Sequence, residues 1–458
     1  MNTKINNKRR RSSSHYFIFS FIFLFSIIAH QFYKQYLYSL SNDYVQIIQN
    51  EIKVRCPFDK TIFFLFSYIV NYKVLILAII VFMYNFGNIF KTYILLLTLE
   101  IAMISSSVFK LIYREYRPYW NFFINDTKSN VTYINIANTT ELYSTNKTND
   151  VFYISTNGFG GPSTNVLITA VLLFTVWRVI FKSMRLKEKG CFYKNIVLFI
   201  VFIYTLIESF LYWICYESSL DQIAFSFSLA FCIYFFIFYV LNLYSNDMKQ
   251  IFKTLIFPIY YKCLIYIGVL TMFTIFYFTI RNIFGEENEL VYQKVLQSIH
   301  YNNSSIIIQS LFSEAYYSFC IFFLNLGLIF GMRQEYFSLF EGSFNNWTQY
   351  NFEKDEEIKE DEDESLMSKL SINKDIQWNH TKIYYSIPRL VILLILMGIS
   401  SLPYTLISFD SNVIMIILLK YFLCLNLISF GMFYGYKQIL KYLKLTNILI
   451  FTMLRESI

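Results

Sequence analysis

Long apolar blocks alternate with short polar breaks along most of the chain. They fall at 16–36, 70–88, 90–113, 164–184, 193–213, 222–244, 259–281, 305–331, 387–408 and 412–435. Each approaches the roughly 20 residues a helix needs to cross a bilayer core, where only helices and closed barrels satisfy their own backbone. The pattern predicts an all-α polytopic membrane protein with about ten transmembrane helices. A shorter apolar stretch at 57–69, PFDKTIFFLFSYI, predicts an amphipathic or re-entrant piece feeding the second span. The polar break at 353–364, EKDEEIKEDEDE, predicts a solvated, disordered stretch with room for phosphorylation at Ser365 or Ser368.

Composition agrees with the pattern. Of 458 residues, 56% are hydrophobic and 15% charged, and the mean hydropathy is +0.43, which argues against a soluble globule. The net charge of +8 is informative by position. The start KINNKRRR, the loop RVIFKSMRLKEKGCFYK and the tail YKQILKYLK are basic and flank spans. Such placement marks cytoplasmic segments, and it argues against nucleic acid as the partner of the positive charge. The run HYFIFSFIFLFSIIA after the basic start lacks a small-residue cleavage pattern and outlasts a typical signal core, so a retained first span is expected. Both termini are then cytoplasmic, and the expected residence is a secretory-pathway membrane, the endoplasmic reticulum or plasma membrane.

Four sequons cluster in the loop 119–163, at Asn125, Asn130, Asn138 and Asn146. This topology makes that loop lumenal, so glycans are expected there. Asn346 and Asn379 also lie in sequons, but on the cytoplasmic side. The seven cysteines (56, 191, 215, 232, 263, 320 and 424) show no metal-ligand spacing. Cys56 and Cys215 share the lumenal side, and no disulfide between them is expected.

Three polar stretches stand at span ends that this topology puts on one side. SVFKLIYREYRPYW, residues 107–120, holds Lys110 and Arg117. Seven residues apart on a helix, they leave the same face. NGFGGPSTNVLI, residues 157–168, opens the fourth span, and CYESSLDQIAF, residues 215–225, opens the sixth. Cations near a span end often just reach to lipid headgroups. The three stretches together carry more. Lys110 and Arg117 with Ser163, Thr164 and the backbone amides opening a helix form an anion site suited to phosphate.

The order and topology of these stretches resemble the type-2 phosphatidic acid phosphatase and vanadium haloperoxidase superfamily over roughly residues 57–245. Its first motif, K-x6-R-P, is matched by KLIYREYRP, and the RPYW ending looks like the glucose-6-phosphatase and lipid phosphatase branches. Its second, P-S-G-H or P-S-T-H, reads Pro162-Ser163-Thr164-Asn165. Its third, S-R-x5-H-x3-D, keeps only its last member when that is set on Asp221. Glu217 then stands at the nucleophilic histidine, Leu211 at the arginine and Phe210 at the serine, with Ser209 adjacent. The resemblance implies a six-helix core and metal-free, cofactor-free phosphoryl chemistry through a phosphohistidine.

This chain lacks both of the histidines that the chemistry needs. Its four are His15, His30, His300 and His380, none at motif spacing. Asn165 is no acid at neutral pH. Glu217 brings negative charge to the place of phosphate, where it would be expected to pair with Lys110 and Arg117. The expected protein is a catalytically degenerate member, binding a phosphorylated lipid or serving as a scaffold among membrane lipids. One alternative is an active lipid or sugar phosphate phosphatase, with Glu217 as a carboxylate nucleophile or His300 as a substitute. Another is a transporter or channel.

The expected organisation is an N-terminal segment with the first span (1–56), the phosphatase-like core (57–245) and a C-terminal membrane extension (246–458) holding the acidic loop 333–386. Glu100, Glu208, Glu314 and Lys420 fall inside spans, where charges are expensive and commonly paired or functional. Glu314 and Lys420, at similar depth, are expected to form an interhelical ion pair. Glu208 is expected to add negative charge beside the degenerate third motif.

Overall fold

The structure is a computed structural model. It describes residues 2–55, 89–120, 133–135, 151–153, 158–183, 188–237, 259–299, 312–324, 326–331, 334, 383–406 and 414–443. The expected re-entrant piece, the second span, the four sequon asparagines, the acidic run, Cys56, His300 and His380 lie outside those residues. So does the side chain of Glu314, and with it the expected pair with Lys420; Lys420 itself is half-buried.

The described residues are mostly helical, with one small ladder and short turns and loops between helices. Helices α1 (Asn2–Arg55), α2 (Ile89–Tyr113), α3 (Thr164–Ser183), α4 (Glu188–Ile214), α5 (Leu220–Phe235) and α6 (Ile259–Ile299) are followed by α7 (Ser313–Phe319), α8 (Ile383–Leu406), α9 (Ile414–Phe430) and α10 (Tyr436–Tyr442). A π turn, Gly431–Gly435, joins α9 to α10. Strands β1 (Tyr133–Asn135) and β2 (Val151–Tyr153) pair in parallel, with Ile134 opposite Phe152. Among the described residues, three helical segments are long and apolar enough to cross a membrane: Leu95–Tyr113, Phe192–Ile214 and Tyr266–Gly285. These segments are compatible with a membrane protein.

The chain divides into two compact units. The first takes Met1–Ile76, Thr98–Tyr244 and Leu270–Phe319; the second takes Leu77–Leu97, Ser245–Val269 and Cys320–Ile458. In the second unit α8 packs on α9 and the π turn. Gly327 meets Asn426 and Ser429 so closely that a Cβ would collide with both.

In the first unit, α5 is the hub, packed against α1 and α3. Its start is set by Ser219, whose N–H is accepted by the Gln222 side chain at 3.2 Å, the backward half of a capping box. Helix α1 runs 54 residues, about 80 Å at 1.5 Å per residue, and so outreaches any bilayer core. Its distal part straps the turn before α5. Trp213 Nε1 donates to Ser41 Oγ at 2.7 Å, and Gln49 Nε2 donates to the Ile214 carbonyl at 2.5 Å.

One local expectation is corrected. Lys110 and Arg117 do not share a helix face, because α2 ends at Tyr113. Arg114 has φ 51° and gives its N–H to the Lys110 carbonyl at 3.0 Å, a left-handed stop of the kind that ends many helices. Pro118 then disfavours helix at Arg117. Residues 114–117 run without helix, and Arg117 reaches the site from that segment. The basic loop is also shorter than expected, since Glu188–Lys194 already belong to α4.

Candidate functional site

Segment 114–117 belongs to the first unit, with Glu115 and Arg117 buried and Arg114 and Tyr116 half-buried. Arg114 stacks its guanidinium over the Phe284 ring at 3.4 Å, and Tyr116 donates its hydroxyl to Asn288 Oδ1 at 2.8 Å. Glu115 gives its carbonyl to the Gly160 N–H at 2.7 Å, tying the segment to the loop before α3. That loop passes close enough to require glycine. A Cβ on Gly160 would stand 2.8 Å from the Gln222 amide, and one on Gly161 would overlap the Glu115 carboxylate.

Two polar sets result. In the first, Arg117 is 4% exposed. Its Nε donates to the Gly158 carbonyl at 3.0 Å, and Gly158 sits at φ 81°, a conformation that suits glycine. Its Nη1 lies 3.5 Å from Glu217 Oε1 and 3.4 Å from the Glu217 carbonyl. Asn165 Nδ2 donates to the same Glu217 Oε1 at 2.8 Å. Asn165 and Arg117 thus hold the same carboxylate oxygen of Glu217.

Two other expected phosphate donors, Ser163 and Thr164, are engaged by neighbouring hydroxyls. Ser218 Oγ donates to Ser163 Oγ at 2.9 Å, while Thr164 Oγ1 and Ser106 Oγ are 2.8 Å apart. Lys110 is buried on the last turn of α2. Glu208 is 1% exposed; it accepts from Thr169 Oγ1 at 2.8 Å and lies within electrostatic reach of Glu217. Glu100 is buried on α2, and Phe210 turns outward. Cys215 is a buried free thiol.

The second set was not foreseen. His30 is fully buried, with Nε2 3.0 Å from Glu115 Oε1. Lys34 Nζ lies 2.9 Å from that same oxygen. Phe225 stacks on the imidazole at a centroid distance of 4.4 Å. Asp221 belongs here, within electrostatic reach of Glu115 and His30. The signal in the sequence was His30 and Lys34 four residues apart, one turn along a single face. It was passed over because neither matches a motif.

Burial pushes the Glu115 carboxyl upward, but the hydrogen bond from His30 and the Lys34 ammonium outweigh it and leave the group below the usual carboxylate value. Among the described residues, no group of three or more His, Cys, Asp or Glu side chains is disposed to hold a metal ion. No family model, curated protein or solved structure matches the chain.

Two outcomes follow. Removing Arg117 takes the guanidinium from the buried Glu217 carboxylate, so Arg117→Ala should cost about 3–5 kcal/mol. Adding Glu217→Ala should then cost little more, a non-additivity readable in denaturant titrations in mixed micelles. Strictly additive losses would show that the two side chains do not depend on each other. For Glu115, the folded carboxyl takes up its proton at lower pH than the unfolded one. Its contribution is present above the unfolded value and is lost as pH falls through the folded value. From about pH 5 downward the wild-type melting temperature should fall more steeply than that of Glu115→Gln; parallel curves would refute this.

Proposed function

We propose that the chain is a multi-pass integral membrane protein related to the type-2 phosphatidic acid phosphatases, with catalysis lost and its anion site occupied from within. The Glu217 carboxylate stands for phosphate. The observation that carries this reading is its hold by Arg117 and Asn165, at 3.5 Å and 2.8 Å. A phosphoryl group draws on guanidinium and amide donors in the same way. The hydroxyls of Ser163 and Thr164 are engaged by Ser218 and Ser106, which fits a site closed on itself.

In this reading about ten helices cross the membrane, counted from apolar runs of spanning length. Both termini are cytoplasmic, the loop 119–163 is lumenal and glycosylated, and the compartment is a secretory membrane. The role left to such a core is structural, or the binding of a phosphorylated lipid that displaces Glu217. His30 does not supply the missing nucleophile, since its Nε2 is engaged by Glu115 and the ring is buried under Phe225.

Purified protein in lipid nanodiscs should release no phosphate from phosphatidate, sphingoid-base phosphate or glucose 6-phosphate above the level of an Arg117→Ala, Glu217→Ala control. Turnover abolished by Glu217→Gln would instead establish a carboxylate nucleophile.

A further inference from the structure

The start of the chain carries charge of one sign only. Lys4, Lys8, Arg9, Arg10 and Arg11 precede the first apolar block, and no aspartate or glutamate comes before Asp43. A basic start alone orients a span, and a run of charge is commonly no more than a solvated surface. The fold adds a constraint. Helix α1 begins at Asn2 and runs unbroken into the apolar block, so the span that follows fixes the depth of each basic position. At 1.5 Å per residue, Arg11 stands about 8 Å and Arg9 about 10 Å along the axis from Tyr16, where the block begins. A bilayer's headgroup layer is roughly 5–8 Å deep on each side, and charge is felt for about a further 8 Å in physiological salt. The three arginines therefore stand at the outer edge of that layer, with Lys8 within reach of it. Positions 4, 8 and 11 also share one face of the helix by their spacing. Ser12, Ser13 and Ser14 fill the positions between the arginines and His15, inside the same layer.

We infer that residues 4–11 are a contact for anionic lipid headgroups, released by phosphorylation of Ser12. A guanidinium pairs with the phosphate and carboxylate oxygens of such lipids in bidentate fashion. Each cation held near an anionic leaflet multiplies the attraction roughly fivefold. Ser12 has Arg9 and Arg10 three and two residues before it, a charge pattern that a serine kinase with an acidic substrate groove selects. Its hydroxyl oxygen takes the γ-phosphoryl of ATP, ADP leaves, and the hydroxyl proton passes to solvent. The phosphate brings about two negative charges. They stand beside the three arginines, at the depth of the lipid phosphates with which they then compete. The inference rests on the membrane reading of α1 and not on the phosphatase resemblance.

Hydrogen exchange of the full chain tests it, in nanodiscs of phosphatidylcholine alone and of phosphatidylcholine with phosphatidylserine, read on peptides covering residues 2–15. Contact with the surface holds the first turns of α1 closed. An anionic surface also lowers the local pH and slows exchange in any chain. The wild type is therefore compared with Arg9→Gln/Arg10→Gln/Arg11→Gln, which meets the same surface. Phosphatidylserine should slow the wild type at least about fivefold more than this variant. Raising the salt to about 1 M should remove the difference. Protein carrying phosphate on Ser12 should behave as the variant does. Equal slowing of wild type and variant would overturn the contact, and full slowing with Ser12 phosphorylated would overturn the release. Nanodiscs present the same lipid on both faces, so the result does not depend on which side the start of the chain occupies. Residues 20–36 are read in the same experiment. Free exchange there in both lipids would sink the membrane reading and the contact with it. Protection there with no lipid effect at 2–15 would sink the contact alone.

Discussion

A guanidinium buried to 4% exposure must have its charge answered, and the answer that Arg117 finds organises one end of the first unit. Its partners include groups from two separated places: the Gly158 carbonyl, and the carbonyl and carboxylate of Glu217. To bring them together, α2 has to stop at Tyr113, the loop before α3 has to be thin enough to pass Glu115 and Gln222, and the turn after α4 has to present Glu217 inward. That turn needs Tyr216 at φ 52°, and α1 straps it through Ser41 and Gln49. The site is a consequence of satisfying one cation.

Much of this was legible in the sequence, and for identifiable reasons. Apolar runs of spanning length gave the helices their approximate places, because twenty-odd residues without polar relief leave the backbone little alternative in an apolar setting. The nearness of Arg117 and Glu217 followed from matching chemistry in two stretches a hundred residues apart. What failed was local. A seven-residue spacing implies one face only while the helix lasts, and Pro118 with Arg114 ends it first. His30 was invisible because its meaning lies in its partners: α1 has to pack on α5 before an imidazole meets Glu115. Asp221 shows the same dependence, since register alone does not say which groups the first turn of α5 meets.

The two sets share a logic. In each, a carboxylate is held by a cation and a nitrogen donor inside the protein: Glu217 by Arg117 and Asn165, Glu115 by Lys34 and His30. Truncating one partner of such a pair costs more than the pair contributes, so arrangements of this kind fix a geometry more than they add stability. An anion site built this way can keep its shape without a ligand. The proposed phosphatase-like core without phosphatase chemistry would need that property.

The central claim is that Glu217 occupies the place of phosphate, and competition tests it most directly. Inorganic phosphate should be titrated against the protein in nanodiscs, with binding followed by phosphorus NMR. The wild type should bind none; Glu217→Ala should bind it, and should lose it again when Arg117→Ala is added. Equal binding by wild type and Glu217→Ala, or none by a folded Glu217→Ala, would contradict the account.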